Sequence, residues 1–171
     1  MPPVVHRRPS NESIGFSKTV HPLIQRIFKQ RSITDASEIE LGLNNLLSPG
    51  KFKGIDGAVS LLVKALDEQQ RVLIVADFDA DGATSCALAI DCLRKFGLKQ
   101  IDYVVPNRFE YGYGLTPEIV ELGKLKRPDV IITVDNGISS VEGVASAKDA
   151  GISVVITDHH IAPSALPDAE A

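Results

Sequence analysis

Apolar positions along the chain fall into two alternating kinds of run. Val72-Leu73-Ile74-Val75-Ala76, Val130-Ile131-Ile132-Thr133-Val134 and Ile152-Ser153-Val154-Val155-Ile156-Thr157 are short and β-rich, as strands buried on both faces are. Ile101 to Val105 reads as a further strand. Between these runs the spacing changes to that of helices. One is expected from about Asp56 to Gln70, with Ala58, Leu61, Leu62 and Ala65 inward. A second should follow Gly82 to Phe96 and close at Gly97, a third should open at Thr116-Pro117 and stop by Pro128, and a fourth should run from Ser140 to Gly151. Alternation of this kind predicts right-handed crossovers and a parallel sheet with helices on both faces, a three-layer α/β domain.

Residues 1–50 differ from residues 51–171. Up to Arg31 the basic residues are Arg7, Arg8, Lys18, Arg26, Lys29 and Arg31, against Glu12 as the sole acid. Leu23, Ile24, Ile27 and Phe28 share one helix face; a second helix carrying Ile39, Leu43, Leu46 and Leu47 is expected to start at Asp35 with Glu38. This helical amino-terminal arm has two readings of equal weight, a phosphate-contacting extension and a packed helical cap with a solvated side.

Composition narrows the class. A chain of 171 residues with 44% hydrophobic content has the length of one globular domain, and a net charge of -4 gives no general attraction to nucleic acid or membrane. No apolar run approaches a membrane span and the start lacks a signal-peptide core, so the default expectation is a cytoplasmic protein with no membrane partner. Cys86 and Cys92 fall about 240° apart around one helix. They cannot pair there and read as structural thiols of a reducing compartment.

The chemistry sits where the strands end. Asp77, Asp79 and Asp81 alternate after the first long run, and Gly82 is expected to permit a tight turn into the next helix. The third run ends in Asp135-Asn136-Gly137 and the fourth in Asp158-His159-His160. Parallel neighbours would bring these tips to one crevice at the strand carboxyl ends. An EF-hand loop would need a carboxylate at its twelfth position, where Leu88 stands, and that reading fails. A phosphatase of the haloacid dehalogenase kind would use Asp77 as nucleophile and Asp79 as acid and base, yet Asp81 stands where that pattern prefers a hydroxyl. Clustered carboxylates repel unless a cation lies between them, and a hard divalent ion is the preferred reading. The histidines favour manganese or zinc over magnesium. Adjacent histidines at a strand end point different ways, so one can face the metal and the other the substrate or a carboxylate.

Taken together, Asp77-Phe78-Asp79-Ala80-Asp81-Gly82, Asp135-Asn136-Gly137 and Asp158-His159-His160 resemble the first three motifs of the DHH phosphoesterase family. The segment Val105-Pro106-Asn107-Arg108-Phe109-Glu110-Tyr111-Gly112-Tyr113-Gly114-Leu115 resembles the branch that degrades single-stranded DNA from its 5′ end. With the crossover rule, the resemblance implies a four-stranded sheet in the order 2-1-3-4. It implies that Asp79, Asp81, Asp135 and His159 bind the catalytic metals, with Asp135 bridging two ions, and that His160 lies beside the scissile phosphate. Some members have a histidine where this chain has Ala76, and Asp77 is the expected substitute ligand. The implied cofactor is a pair of divalent ions, manganese preferred and magnesium the alternative.

The implied reaction is water-driven hydrolysis releasing 5′-mononucleotides in DNA repair and recombination. Asn107 and Arg108 are expected on a phosphate and Tyr111 or Tyr113 on a base, the alternative for this loop being packing against the domain. Arg108 is expected to face solvent and to contribute little to stability. Implied partners are single-stranded DNA, a single-stranded-DNA-binding protein and a helicase, with the protein a monomer. A DHH hydrolase of small nucleotides or phosphates and a non-catalytic DNA-binding or docking module are the alternatives. The chain ends at Ala171, before a further metal-binding aspartate and a second domain that the resemblance implies, and Asp168 lies too near the histidines to replace that ligand. Residues 51–171 are therefore expected to be an incomplete phosphoesterase domain with little activity alone.

Overall fold

The computed structural model describes Val4, His6, residues 20–33 and residues 35–171. Two compact units divide between Ser48 and Pro49. In the first, helix α1 spans Pro22–Gln30; Pro22 stands where a missing N–H costs nothing, and His21 Nδ1 accepts the Leu23 N–H at 3.2 Å. Arg7, Arg8, Lys18 and Glu12 of the expected basic arm lie outside the described residues.

The expected second helix of this unit is absent from the described residues that were to form it. Two 3₁₀ turns, Ala36–Ile39 and Leu43–Asn45, replace it. Asp35 and Glu38 do form a cap, the Ser37 N–H donating to Asp35 Oδ1 and the Asp35 N–H to Glu38 Oε1. Beyond it, Glu40 and Gly42 are extended, and Asn45 Nδ2 turns back onto the Glu40 carbonyl. A glycine, and an asparagine whose side chain bonds to nearby backbone, outweigh the apolar spacing within one short stretch, and Leu43 is left 83% exposed.

In the second unit a 3₁₀ turn at Pro49–Lys51 precedes α2 (Ile55–Asp67), β1 (Val72–Ala76), α3 (Ala80–Lys95), β2 (Ile101–Val104), the short α4 (Arg108–Tyr111), α5 (Pro117–Lys124), β3 (Val130–Val134), α6 (Val141–Asp149) and β4 (Ser153–Thr157). All three pairings are parallel and the order is β2-β1-β3-β4, as expected. Alternate strand residues serve two cores. Val72, Ile74, Ile132 and Val155 pack with Ala65 of α2 and Cys86 and Leu93 of α3; Leu73, Val75, Ile131 and Val154 pack with Ile119 and Val120 of α5 and Val144 and Ala147 of α6. Gly143 is required by this second layer, since a Cβ there would lie 1.8 Å from the Leu115 carbonyl oxygen.

The free edge of β4 is occupied by the last residues. Glu170 donates its N–H to the Val154 carbonyl at 3.0 Å and the Ala171 carbonyl accepts the Ile156 N–H at 2.9 Å. Cys86 is buried, Cys92 half-buried, and both are free thiols. Among the described residues no helix is long and apolar enough to cross a membrane.

What the fold does for the site is set by register. Ala76 pairs with Val134 and Val134 with Thr157, so three strands end on one level row. Asp77, Asp135 and Asp158 are each the next residue.

Candidate metal centre at the strand ends

Asp79 is the N-cap of α3, its Oδ1 accepting the N–H groups of Asp81 and Gly82, both at 3.1 Å. That cap starts the helix two residues before Gly82. Gly82 therefore supplies no turn: it lies within the first helical turn, where a Cβ would sit 2.2 Å from the Asp77 carbonyl oxygen. Close approach of helix to strand end is what excludes a side chain there. The Gly82 N–H, aided by that of Asp81, holds the Asp79 carboxyl below its ordinary value and keeps it anionic.

Asp135 leaves β3 in the left-handed conformation, φ +63°, while its N–H still donates to the Thr157 carbonyl at 2.9 Å. The kink stands at a buried carboxylate, 8% exposed. Its Oδ1 lies 2.9 Å from His159 Nε2. Burial first, and the charge of Asp79 second, push the Asp135 carboxyl up, while His159 opposes the shift. Asn136 locks the kink from beneath, donating Nδ2 to the carbonyls of Val75 and Val134.

Asp158 has a nearly closed side chain, 1% exposed. Burial opposes its ionisation, but hydrogen bonds from the Ile138 N–H, the His160 N–H and the His160 ring outweigh it and hold the carboxyl below its ordinary value. A carboxylate only accepts, so its 2.7 Å contact requires a proton on His160 Nδ1 and leaves Nε2 as the nitrogen open to other partners. The same contact raises the His160 pKa. Tyr113 closes the group: its hydroxyl donates to the Asp135 carbonyl at 3.2 Å and lies 3.3 Å from His160 Nδ1. Burial, with the charges of Asp77, Asp158 and Asp135, pushes the Tyr113 phenol up to about 12, so it remains a neutral donor.

Two groups of three side chains each bring their donor atoms within 4.8 Å, one made of Asp135, His159 and His160 and the other of Asp77, Asp79 and Asp135. Asp135 belongs to both. A buried carboxylate shared in this way, with oxygen and imidazole donors around it, has the donor chemistry of a borderline divalent cation. Asp81 is in neither set; it is exposed in the first turn of α3.

The segment after β2 differs from expectation at Arg108. Asn107 is the N-cap of α4, its Oδ1 accepting the Phe109 N–H at 3.1 Å. Arg108 does not face solvent freely: Nη2 meets Asp77 Oδ1 at 2.9 Å and Oδ2 at 3.0 Å, and the guanidinium carbon lies 3.7 Å from the Phe78 ring centroid. Tyr111 is half-buried and packs against the core of α5 and α6, whereas Tyr113 reaches the site. Asp158, Asn136 and Phe78 also work at this site, beyond the residues expected from the sequence. An amide between the aspartate that ends an apolar strand and a glycine is the signal for Asn136; Phe78 carries none.

A family model described as DHH family, N-terminal domain, matches residues 71–171. The chain is similar to the single-stranded-DNA-specific exonuclease RecJ of Haemophilus influenzae, 48% identical over 92% of this chain and 28% of that protein. It is similar also to RecJ of Salmonella typhimurium, 46% identical over 98% of this chain and 29% of that protein. Among solved structures, exonuclease RecJ bound to manganese matches with a TM-score of 0.65 at 32% identity, covering 72% of this chain and 32% of that one. RecJ from Thermus thermophilus in complex with Mn2+ matches with a TM-score of 0.60 at 28% identity, covering 78% of this chain and 18% of that one. The chain spans under a third of the length of these curated relatives.

Proposed function

The chain belongs to the DHH family, and from that premise we propose that it supplies the metal-holding wall of an enzyme that hydrolyses single-stranded DNA from the 5′ end, in repair and recombination. The observation that carries this reading is a buried carboxylate, Asp135, shared by two donor sets at level strand ends, one with Asp77 and Asp79 and one with His159 and His160, the last oriented by the carboxylate of Asp158. The relatives support it, being named single-stranded-DNA-specific exonucleases, and RecJ structures have been solved with manganese.

Asp79, Asp135 and His159 would hold the cation, and Asp81 is the exposed carboxylate nearest in sequence that can join them. Their mixed oxygen and nitrogen donors suit manganese better than magnesium. When bound, a pair of such ions activates water and neutralises charge on the phosphate and the departing oxygen. The remaining work falls to this chain's residues. Asp158 fixes the His160 ring so that Nε2, when it too carries a proton, can donate to a phosphate oxygen. Tyr113, a neutral donor, holds the carbonyl of kinked Asp135 and so keeps the shared carboxylate in place. Arg108 offers a guanidinium to a second phosphate, with Phe109, 94% exposed beside it, as a surface on which a base can stack. A monomer in the cytoplasm, working with a single-stranded-DNA-binding protein and a helicase, belongs to the same reading.

The test is release of mononucleotides from single-stranded DNA with manganese, by this chain joined to the remaining length of its Haemophilus influenzae relative. Hydrolysis that Asp135→Asn abolishes is expected; hydrolysis indifferent to Asp135 refutes the assignment.

A further inference from the structure

We infer that Asp77 is a positioning residue for Arg108 and not a ligand of the cation. The inference rests on the metal-nuclease reading and assigns a residue within that site.

Distance alone leaves Asp77 two roles, since its carboxylate lies in one set with Asp79 and Asp135 and also meets Arg108. The hydrogen bonds decide between them. Both oxygens accept from Arg108 Nη2, and Oδ1 accepts the Phe78 N–H at 2.8 Å as well. Asp77 is 8% exposed, so water cannot replace a partner that leaves. Arg108 Nε is already buried without a hydrogen bond. Turning the carboxylate toward a cation would release both contacts to Nη2 from a guanidinium whose Nε is already without a partner, and removing one partner of such a hydrogen bond costs more than the bond contributes.

Phe78 completes the arrangement. The guanidinium lies 3.7 Å above its ring, and the ring of Tyr113 is 5.3 Å away. The ring face sets the plane of the guanidinium and the carboxylate sets its direction, so two consecutive residues fix both. Arg108 Nη1 has no hydrogen-bond partner among the described residues, and the side chain is 37% exposed, which leaves one edge for an incoming phosphate oxygen. A cation held in this way is already oriented, and less freedom is lost when it binds. The Asn107 cap anchors the backbone that carries it.

Two measurements test the assignment. The first is manganese affinity, by electron paramagnetic resonance, of the unmodified protein, Asp77→Asn and Asp79→Asn. Loss of a true ligand should weaken binding by at least the roughly tenfold that loss of an outer-shell partner costs, as expected for Asp79→Asn, whereas Asp77→Asn, which hydrogen-bonds to no ligand, should change it much less. The second is affinity for oligothymidylate in EDTA, where no cation contributes, for Asp77→Asn, Arg108→Gln and the double variant. Each single change should weaken binding about fivefold, and the double variant should be no weaker than the worse single one. Thermal unfolding monitors the fold, and Asp77→Ser replaces Asp77→Asn should the amide prevent folding. Manganese loss in Asp77→Asn equal to that in Asp79→Asn overturns the inference, and so does additivity in the DNA cycle. Unchanged manganese affinity in Asp79→Asn refutes the metal reading itself, and the Asp77–Arg108 assignment then stands or falls on the DNA cycle.

Discussion

His159 Nε2 stands 2.9 Å from Asp135 Oδ1, joining the ends of two parallel strands whose last matched pair is Val134 with Thr157. Asp135 makes this contact from a left-handed backbone, φ +63°, which asparagine tolerates better than alanine. Asp135→Asn should therefore keep the fold while losing manganese affinity by about tenfold or more. Asp135→Ala should lose that affinity and also be less stable than Asp135→Asn by about 1 kcal/mol. Urea unfolding of the two variants reads the difference.

Gly82→Ala should be among the most destabilising single changes in the sheet domain. The added Cβ would meet the Asp77 carbonyl oxygen at 2.2 Å, and neither the helix start nor the strand end can yield without breaking the Asp79 cap. A loss of about 3 kcal/mol or more is expected. Gly97→Ala, which meets no atom within 4 Å but has φ +104°, should cost about 1 kcal/mol. Equal, small losses would contradict the packing described.

Arg108→Ala should destabilise the fold, contrary to what a free loop arginine would do. It leaves the Asp77 carboxylate buried with only the Phe78 N–H as a donor. A cost of about 1–3 kcal/mol is expected from the uncompensated group, read as a shift in urea midpoint at unchanged slope.

A pH effect is expected where Lys126 meets Asp102 at 2.7 Å, tying β2 to the loop before β3. The hydrogen bond from Lys126 holds the Asp102 carboxyl below its ordinary value of 3.8. A lowered folded-state value means stability present above pH 3.8 and lost as pH falls through the folded pKa. Both side chains are about half exposed, so the contribution is well under about 1 kcal/mol. Lys126→Ala should show a small deficit at pH 7 that closes in acid and in high salt.

The strands, their buried faces and their acidic ends are legible in the sequence because they are local. An apolar run followed at once by aspartate needs no tertiary information, and level register then brings the ends together. The four-strand order rests on the family resemblance together with the crossover rule, not on the periodicity. Less is legible where a side chain chooses among distant partners. Arg108 and Asp77 are thirty-one positions apart, and nothing in the loop around Arg108 announces a buried acceptor. Gly82 reads as a turn residue, because a glycine excluded by close packing and one needed for a positive φ are identical in sequence. The apolar spacing from Ile39 to Leu47 reads as a helix, and Gly42 with Asn45 breaks it into 3₁₀ turns. Asp158 belongs to a visible motif, yet its work on His160 depends on burial that only the fold creates.

The central claim is that these strand ends hold a catalytic cation, and anomalous diffraction from crystals soaked in manganese tests it most directly. The account predicts an anomalous peak bounded by the carboxylates of Asp79 and Asp135 and the imidazole of His159, with Asp77 still on Arg108. A peak elsewhere, or none at a manganese concentration that supports DNA hydrolysis, would contradict it.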